Sequence, residues 1–487
     1  EEDRSKIQYT HIENIFDDYK KQILLPHKLS QFGPAVAVAD VNGDRLEDVY
    51  IGSASGKSSK LYLQTKEGGF VLSGSQPWNF HKALEDVDAV FFDSDNDGDN
   101  DLYVVSGGNE FAPNSSTYLD RLYINNGKGV YSFNRDLLPS NYNSGSVVRV
   151  NDFDNDGDQD LFIASRMIPW NYPEPASSNL LVNNNGKFSN YYDPNSSFKD
   201  LGLVTDGVWS DYDLDGDQDL FVVGEWMPLT LIKNENGIFK KQKLNDSCDE
   251  VYGWWYSIEA GDLNGDGTED LVLGNLGENY KYKASKEEPF EVFYDDFDEN
   301  GVKDIVLAYY NYGIQFPLRG FSCSSQQVPE LKNKIKKYDL FASLDVQDVY
   351  GQVNLENALR LQANSFKSTV LINKQGKFKN HPLPYQAQLS SINDFIIDDF
   401  NEDGIKDILA IGNLYNAEIE TTRNDAGNGI LLIGNGEGQF DSKLRKETGF
   451  YAPSDAKKII PLSINNQKGV LVGNNNDLLQ YFKTNKP

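Results

Sequence analysis

Short apolar runs separated by acidic, glycine-bearing segments dominate the chain. Leu102-Tyr103-Val104-Val105, Leu161-Phe162-Ile163-Ala164 and Leu220-Phe221-Val222-Val223 are branched or aromatic throughout, the length and chemistry of buried strands. A second pattern, apolar–x–Asn–x–Gly–x–Phe, follows most of these runs, at 61–70, 122–133, 180–188, 231–239, 370–378 and 431–440, with a worn copy near 478–482. Asn-Gly between apolar runs predicts a tight hairpin. A further strand pair without acidic residues falls at 459–473. Each unit therefore reads as strand, acidic loop, strand, hairpin, and long helical periodicity is scarce. The class is all-β. Seven such units predict a seven-bladed β-propeller, with an eight-bladed ring as the alternative.

The acidic loops begin at Asp40 (DVNGDRLED), Asp93 (DSDNDGDND), Asp152 (DFDNDGDQD), Asp211 (DYDLDGDQD), Asp262 (DLNGDGTED), Asp296 (DFDENGVKD) and Asp399 (DFNEDGIKD). No hairpin lies between the Asp262 and Asp296 loops, and the next begins near Val370. The stretch 276–367 is accordingly read as an insertion in the fifth blade with its own acidic loop. Leu331, Ile335 and Tyr338 predict a helix there, and Lys332, Lys334, Lys336 and Lys337 make it a basic island. The organisation expected is an N-terminal segment over 1–34, blades one to part of five over 35–275, the insertion over 276–367, and the remainder of the ring over 368–487. The last blade is expected to close on N-terminal strands near 8–13 or 35–38.

Seven loops of one design point to a hard cation. Oxygen ligands at positions 1, 3, 5 and 9 converge when a tight turn folds them inward, and glycine at position 6 supplies the left-handed backbone the turn needs. The candidate ligands are Asp40, Asn42, Asp44 and Asp48; Asp93, Asp95, Asp97 and Asp101; Asp152, Asp154, Asp156 and Asp160; and Asp211, Asp213, Asp215 and Asp219. Asp262, Asn264, Asp266 and Asp270, then Asp296, Asp298, Asn300 and Asp304, and finally Asp399, Asn401, Asp403 and Asp407 complete the set. Calcium, up to seven ions, suits such flexible oxygen cages better than magnesium. The first loop departs from the design, with Arg45 at position 6.

Composition narrows the function. Among 487 residues, 45 Lys and Arg stand against 74 Asp and Glu, a formal charge of −29. That balance argues against nucleic acid, which needs a cationic surplus to displace counterions. No run approaches 18 apolar residues, so no membrane-spanning helix is expected. Two cysteines, Cys248 and Cys323, are too few for a disulfide framework, and four histidines leave few catalytic designs. The chain opens Glu-Glu-Asp-Arg without Met, which reads as a processed or excised segment.

The segments flanking each strand pair share the end opposite the acidic loops. Arg166, Trp170, Glu225, Trp226, Trp254, Trp255, Asn279 and Tyr280 fall there and are the candidate ligand-binding residues, aromatic platforms with polar groups among them. Packing of the same rings between blades or under the insertion is the competing reading.

The loops and their following strands resemble the FG-GAP/VCBS repeats of integrin α-chain propellers and of many bacterial surface proteins. Gly224-Glu225-Trp226-Met227-Pro228, Gly253-Trp254-Trp255 and Gly274-Asn275-Leu276-Gly277, together with the Asp296 insertion, resemble the cartilage-acidic-protein-like (ASPIC/UnbV-related) group, especially its long Bacteroidota surface proteins. The resemblance implies a calcium-binding propeller in an extracytoplasmic place, secreted or attached at the outer-membrane surface. The expected function is a calcium-stabilised binding or scaffold module for a protein or glycan, not an enzyme. A glycan-cleaving enzyme using His81, Glu110, Glu225 or Tyr280 as acid or base is one alternative, and a permanent subunit of an outer-membrane complex is another.

Overall fold

The computed structural model describes residues 2–3, 6–245, 248 and 250–484. Among the described residues seven antiparallel blades follow one another along the chain, the fourth and fifth joined into one sheet where Glu225–Pro228 pairs with Tyr252–Trp254, and their innermost strands are Val36–Ala39, Asp86–Phe92, Ser144–Asn151, Leu203–Ser210, Tyr252–Gly261, Asp394–Asp398 and Ala456–Pro461. Each of these strands packs against the next, and the seventh returns to the first, so the sheets form a closed ring. The second strands are Asp48–Ile51, Asp101–Ser106, Asp160–Met167, Asp219–Pro228, Asp270–Asn275, Asp407–Ile411 and Gly469–Asn474. In six of the seven, all but the last, the first residue is the ninth of an acidic loop.

The second strands explain the continuous apolar runs. A strand in the middle of a blade has a neighbouring blade on each face, and every residue of Asp101–Ser106, Asp160–Met167 and Asp407–Ile411 is buried. Outer strands meet solvent on one side, and Ile238–Gln242 buries only Phe239. Apolar clusters fill the spaces between blades. Phe92, Val105, Leu161 and Leu181 join the second and third, and Val36, Ile51, Leu471 and Tyr481 join the first and last. Such interlocked faces supply most of the stability of a ring that has no disulfide to hold it.

Ring closure uses the N-terminal of the two expected partners. The third strand of the last blade, Gln480–Lys483, is flanked by the N-terminal segment through bridges Glu2–Phe482 and Thr10–Leu478. Val36–Ala39 is instead the inner strand of the first blade. The worn hairpin near 478–482 is corrected on the same ground: Gln480–Lys483 pairs back with Gly469–Asn474, and its outer neighbour comes from the other end of the chain.

An eighth sheet lies outside the ring, in the order Ile314–Pro317, Asp304–Asn311, Phe290–Asp295, Leu359–Ala363. It interrupts the fifth blade between Asp270–Asn275 and Thr369–Lys374, which pair directly. The helix expected through Leu331, Ile335 and Tyr338 is broken. Leu331–Lys334 is one short helix, Ile335 is extended (φ −122°, ψ 109°), and Tyr338–Phe341 begins another. Leu331 and Ile335 are buried against Phe293 and Val306, whereas Tyr338 is exposed. Adjacent Lys336 and Lys337 occupy the interruption, with both side chains in solvent.

Candidate metal centres and the opposite face

The acidic loops are built alike. The position-1 aspartate accepts backbone N–H bonds across the turn: Asp93 from Asp97 (3.1 Å) and Gly98 (3.0 Å), Asp152 from Asp156 and Gly157 (both 3.0 Å), Asp296 from Asn300 (3.0 Å) and Gly301 (2.7 Å). Position 6 has a left-handed backbone throughout. Five such glycines run from Gly267 at φ 85° to Gly157 at φ 97°, and Gly404 lies at 88°. Arg45 adopts the same conformation at φ 68°, so the first loop keeps its shape at a steric cost of about 1 kcal/mol. Position 4 is left-handed as well, in Asn96, Asn155, Leu214, Glu299 and Glu402, a requirement that the mixed residue types there conceal.

The position-9 aspartate is the anchor. Asp48, Asp101, Asp160, Asp219, Asp270, Asp304 and Asp407 are all buried. Most take one N–H bond from position 2 of their own loop and one from the adjoining third strand. Asp101 accepts from Ser94 (3.2 Å) and Asn125 (2.7 Å), and Asp270 from Leu263 (3.0 Å) and Asn373 (2.7 Å). Burial pushes Asp48, Asp101 and Asp270 up to about 6, and Asp160, Asp219 and Asp304 up to about 7, despite these donors. A carboxylate held this way is a strong place for a cation and a poor place for a bare charge.

Four loops bring three carboxylates each within 4.8 Å of one another: Asp93, Asp95 and Asp97; Asp152, Asp154 and Asp160; Asp211, Asp213 and Asp215; and Asp296, Asp298 and Asp304. Position 3 carries the sharpest signal. Oδ1 of Asp95, of Asp213 and of Asp298 is buried with no hydrogen-bond partner, as are Asp211 Oδ1 and Asp219 Oδ2. A buried acceptor without a donor is destabilising by about 1–3 kcal/mol. A cation at the centre of the loop satisfies all of them, so the donor set fits calcium. In three other loops asparagine stands at position 3 and its oxygen is used: Asn42, Asn264 and Asn401 accept from Asp44 (3.0 Å), Asp266 (2.9 Å) and Asp403 (3.0 Å).

The fourth loop holds a competitor. Lys233 reaches in from the third strand and pairs with Asp213 and, at 3.0 Å, with Asp215. Its ammonium lies where a dication would draw the same oxygens. Lys233→Met is therefore expected to tighten calcium binding at this loop by roughly tenfold, which is about 1.4 kcal/mol. Isothermal titration of wild type and variant would register the added or strengthened site, and identical isotherms would remove the lysine from the competition.

The hairpin asparagine, used above only to count units, couples the blades. Asn125 Nδ2 donates to Val41 O (2.8 Å), Asn183 to Ser94 O (2.8 Å), Asn234 to Phe153 O (2.9 Å) and Asn373 to Tyr212 O (2.7 Å). Each acceptor is the position-2 carbonyl of the preceding blade's loop. Gln64 takes this part in the first blade and reaches Ser463 O of the last (3.0 Å). An asparagine three residues before the hairpin glycine was the available signal at Asn183, Asn234 and Asn373, since each also turns its own hairpin, Asn183 by accepting from Gly186 (3.0 Å).

On the opposite face the structure gathers several expected ligand residues but does not expose them. Trp254 (0%), Trp255 (2%) and Trp226 (3%) are core side chains, and Tyr280 (5%) lies beside them. Trp226 and Trp254 meet edge to face at 4.9 Å beneath Phe290 of the eighth sheet, with Leu25 and Leu29 of the N-terminal segment in the same cluster. The expected aromatic platform is thus corrected to a covered core: the insertion and residues 24–29 lie over it. Glu225 and Arg166 form a buried ion pair; His27 Nε2 (2.8 Å) and Tyr172 Oη (3.0 Å) complete the carboxylate's shell, and Tyr172 Oη accepts from Trp226 (2.6 Å). Burial alone would raise the Glu225 carboxyl, but Arg166 and His27 overcome it and hold it at about 2. Trp170 is half-buried beneath Lys21, 3.8 Å from its ring centre, and donates to Asn109 O (2.9 Å). Asn279 is exposed on a separate edge, near Leu389 O (3.3 Å).

Three stretches of the sequence, 40–104, 93–163 and 211–273, match the model of the FG-GAP-like repeat. The chain carries FG-GAP-like repeats. Each match runs from an acidic loop through the second strand of the next blade, the unit that the hydrogen bonds above define. In structure the ring is similar to BBS1N in complex with ARL6DN (10% identity, 99% of this chain and 98% of that one, TM-score 0.46). It is also similar to the V. cholerae biofilm matrix protein Bap1 (10%, 99% and 91%, 0.37) and to YCF48 from Cyanidioschyzon merolae (9%, 95% and 98%, 0.42). No curated protein matches the chain in sequence. No described helix is long and apolar enough to cross a membrane.

Proposed function

We propose that the protein is a calcium-stabilised binding or scaffold module that works outside the cytoplasm, secreted or held at the outer-membrane surface, and engages a protein or glycan. The unpartnered position-3 carboxylate oxygens carry this reading, because a dication satisfies them and the calcium outside cells, near millimolar, fills sites of modest affinity. Two of the four groups singled out for acid–base chemistry are engaged elsewhere: Glu225 with Arg166, and His81 Nδ1 with Tyr123 Oη at 2.8 Å. That arrangement favours recognition over catalysis.

With the tryptophans covered, recognition falls to what covers them. The insertion presents exposed Tyr338 (66%) next to Lys337 in the chain, with Lys332 and Lys336 exposed as well, a cationic, partly apolar surface on an acidic protein. Because the eighth sheet is part of the core, deleting 276–367 would unfold its surroundings, and charge reversal is the cleaner probe. Affinity capture from detergent-solubilised cell envelope is expected to recover a partner in calcium, release it in EDTA, and fail with Lys332→Glu/Lys336→Glu/Lys337→Glu. A partner held in stoichiometric amount through EDTA would instead make the protein a permanent subunit of an envelope complex. Undiminished capture by the triple variant would remove the insertion from the interface.

A further inference from the structure

A second set of carboxylates lies at the end of the ring opposite the acidic loops. Glu85 immediately precedes the inner strand Asp86–Phe92, and Glu110 follows the second strand Asp101–Ser106 by four residues, so both leave the second blade on its far side. Glu13 arrives from the N-terminal segment. It is tied to the last blade, donating its N–H to Asn476 Oδ1 (2.9 Å) and accepting from Asn475 Nδ2 (2.5 Å). Glu85 is 2% exposed and Glu13 7%.

These groups are short of partners. Both carboxylate oxygens of Glu85, Oε1 of Glu110, Oε2 of Glu13 and Oδ1 of Asn14 are buried without a hydrogen bond. Among the described residues the basic group within ion-pairing distance of the three glutamates is His11, 3.1 Å from Glu13 Oε1. The backbone leaves room beside them. Gly108 has φ 89°, and a Cβ there would strike Glu110 Oε2 and come within 3.3 Å of Glu85 Oε2. A glycine in a left-handed conformation thus keeps open the space on which two carboxylates converge.

A proton shared between Glu85 and Glu110 would satisfy at most two of the five orphaned oxygens. Burial does push the Glu85 carboxyl up, with Glu13 and Glu110 adding to the effect, so a bare anion at Glu85 is disfavoured. Several hard oxygens from three chain segments, buried and short of donors, are the donor set of an alkaline-earth cation.

We propose that Glu85 and Glu110, with Glu13 and the Asn14 amide oxygen, form a hard-dication site, for calcium in first place, separate from the FG-GAP-like loops. Its position gives it a task the loops do not have. It joins the second blade to the N-terminal segment and, through Glu13, to Asn475 and Asn476 of the last blade, so it clamps the ring where the chain closes on itself.

Native mass spectrometry of the whole chain in saturating calcium tests this by counting ions. Glu85→Gln/Glu110→Gln is expected to bind one ion fewer than wild type, with Glu110→Gln alone as the milder variant should the pair fold poorly. Asp152→Asn/Asp154→Asn, which disables one loop, is expected to lose a different ion, so that the combined variant is two short. A wild type that binds a single ion, lost in Glu85→Gln/Glu110→Gln, would refute the loop sites and leave this one standing. An unchanged count in both glutamate variants overturns the site. So does a melting temperature in calcium that rises on Glu85→Gln, because the carboxylate would then be a buried burden relieved by neutralisation rather than a ligand.

Discussion

Excess EDTA is expected to lower the melting temperature by roughly 15–20 °C. An ion bound only by the folded state adds RT ln(1 + [L]/Kd), about 2.7 kcal/mol at a hundredfold excess over Kd. Unfolding entropy grows with chain length, and for a chain of this size a change of 1 kcal/mol moves the midpoint by only about 1 °C. One site would barely register; seven filled together would give the drop stated. The electrostatic background acts in the same direction, because seven dications would roughly halve the formal charge of −29 and relieve the self-repulsion of the loop face. Calorimetry in calcium and then in EDTA measures the difference, with magnesium as the control for size. An unchanged midpoint would mean that the loops are solvated turns whose position-9 aspartates need only their backbone donors.

The second large effect concerns Glu225. Removing it leaves Arg166 and His27 in a dry core facing no carboxylate, and breaking a buried pair in this way typically destabilises by about 3–5 kcal/mol. Glu225→Ala is expected to show that loss in chemical denaturation at pH 7. The pH dependence gives a second reading. A carboxyl held at about 2 in the fold and near 4.3 in the unfolded chain contributes stability that is complete above pH 4.5. That contribution fades as pH falls toward 2. The gap between wild type and Glu225→Gln should therefore be full at pH 6 and close in acid. A gap that does not change with pH would mean that shape, not charge, holds the N-terminal segment in place.

The ring and its loops were legible because both follow from local rules. A nine-residue spacing of oxygens needs only the turn that folds it, and an apolar run of four between such loops has no place but a buried strand. The position-3 aspartates read correctly as groups that converge. The tryptophans did not, for a physical reason: sequence placed Trp226 and Trp254 at the right end of their strands but could not show that residues 24–29 and Phe290, distant in the chain, come back to cover them. The broken helix at Ile335 failed similarly, since packing against Phe293 and Val306 outweighed a three-residue apolar spacing. Asn125, Asn183, Asn234 and Asn373 were visible as a repeat, yet their role lies between blades, where no single repeat can show it.

That asparagine relay has a direction and two ends. It passes from the fifth blade back to the first and on to the last, but Gly434 stands at the corresponding position of the sixth blade. There its N–H still reaches Asp407 Oδ1 (2.9 Å), while no side chain remains to grip the Asp262 loop. On the loop face the molecule is thus less a hoop than a belt, buckled through five joints and open beside the sixth blade. Strain or calcium loss should part it there first, with amides of Asp407–Ile411 exchanging ahead of those of Asp160–Met167.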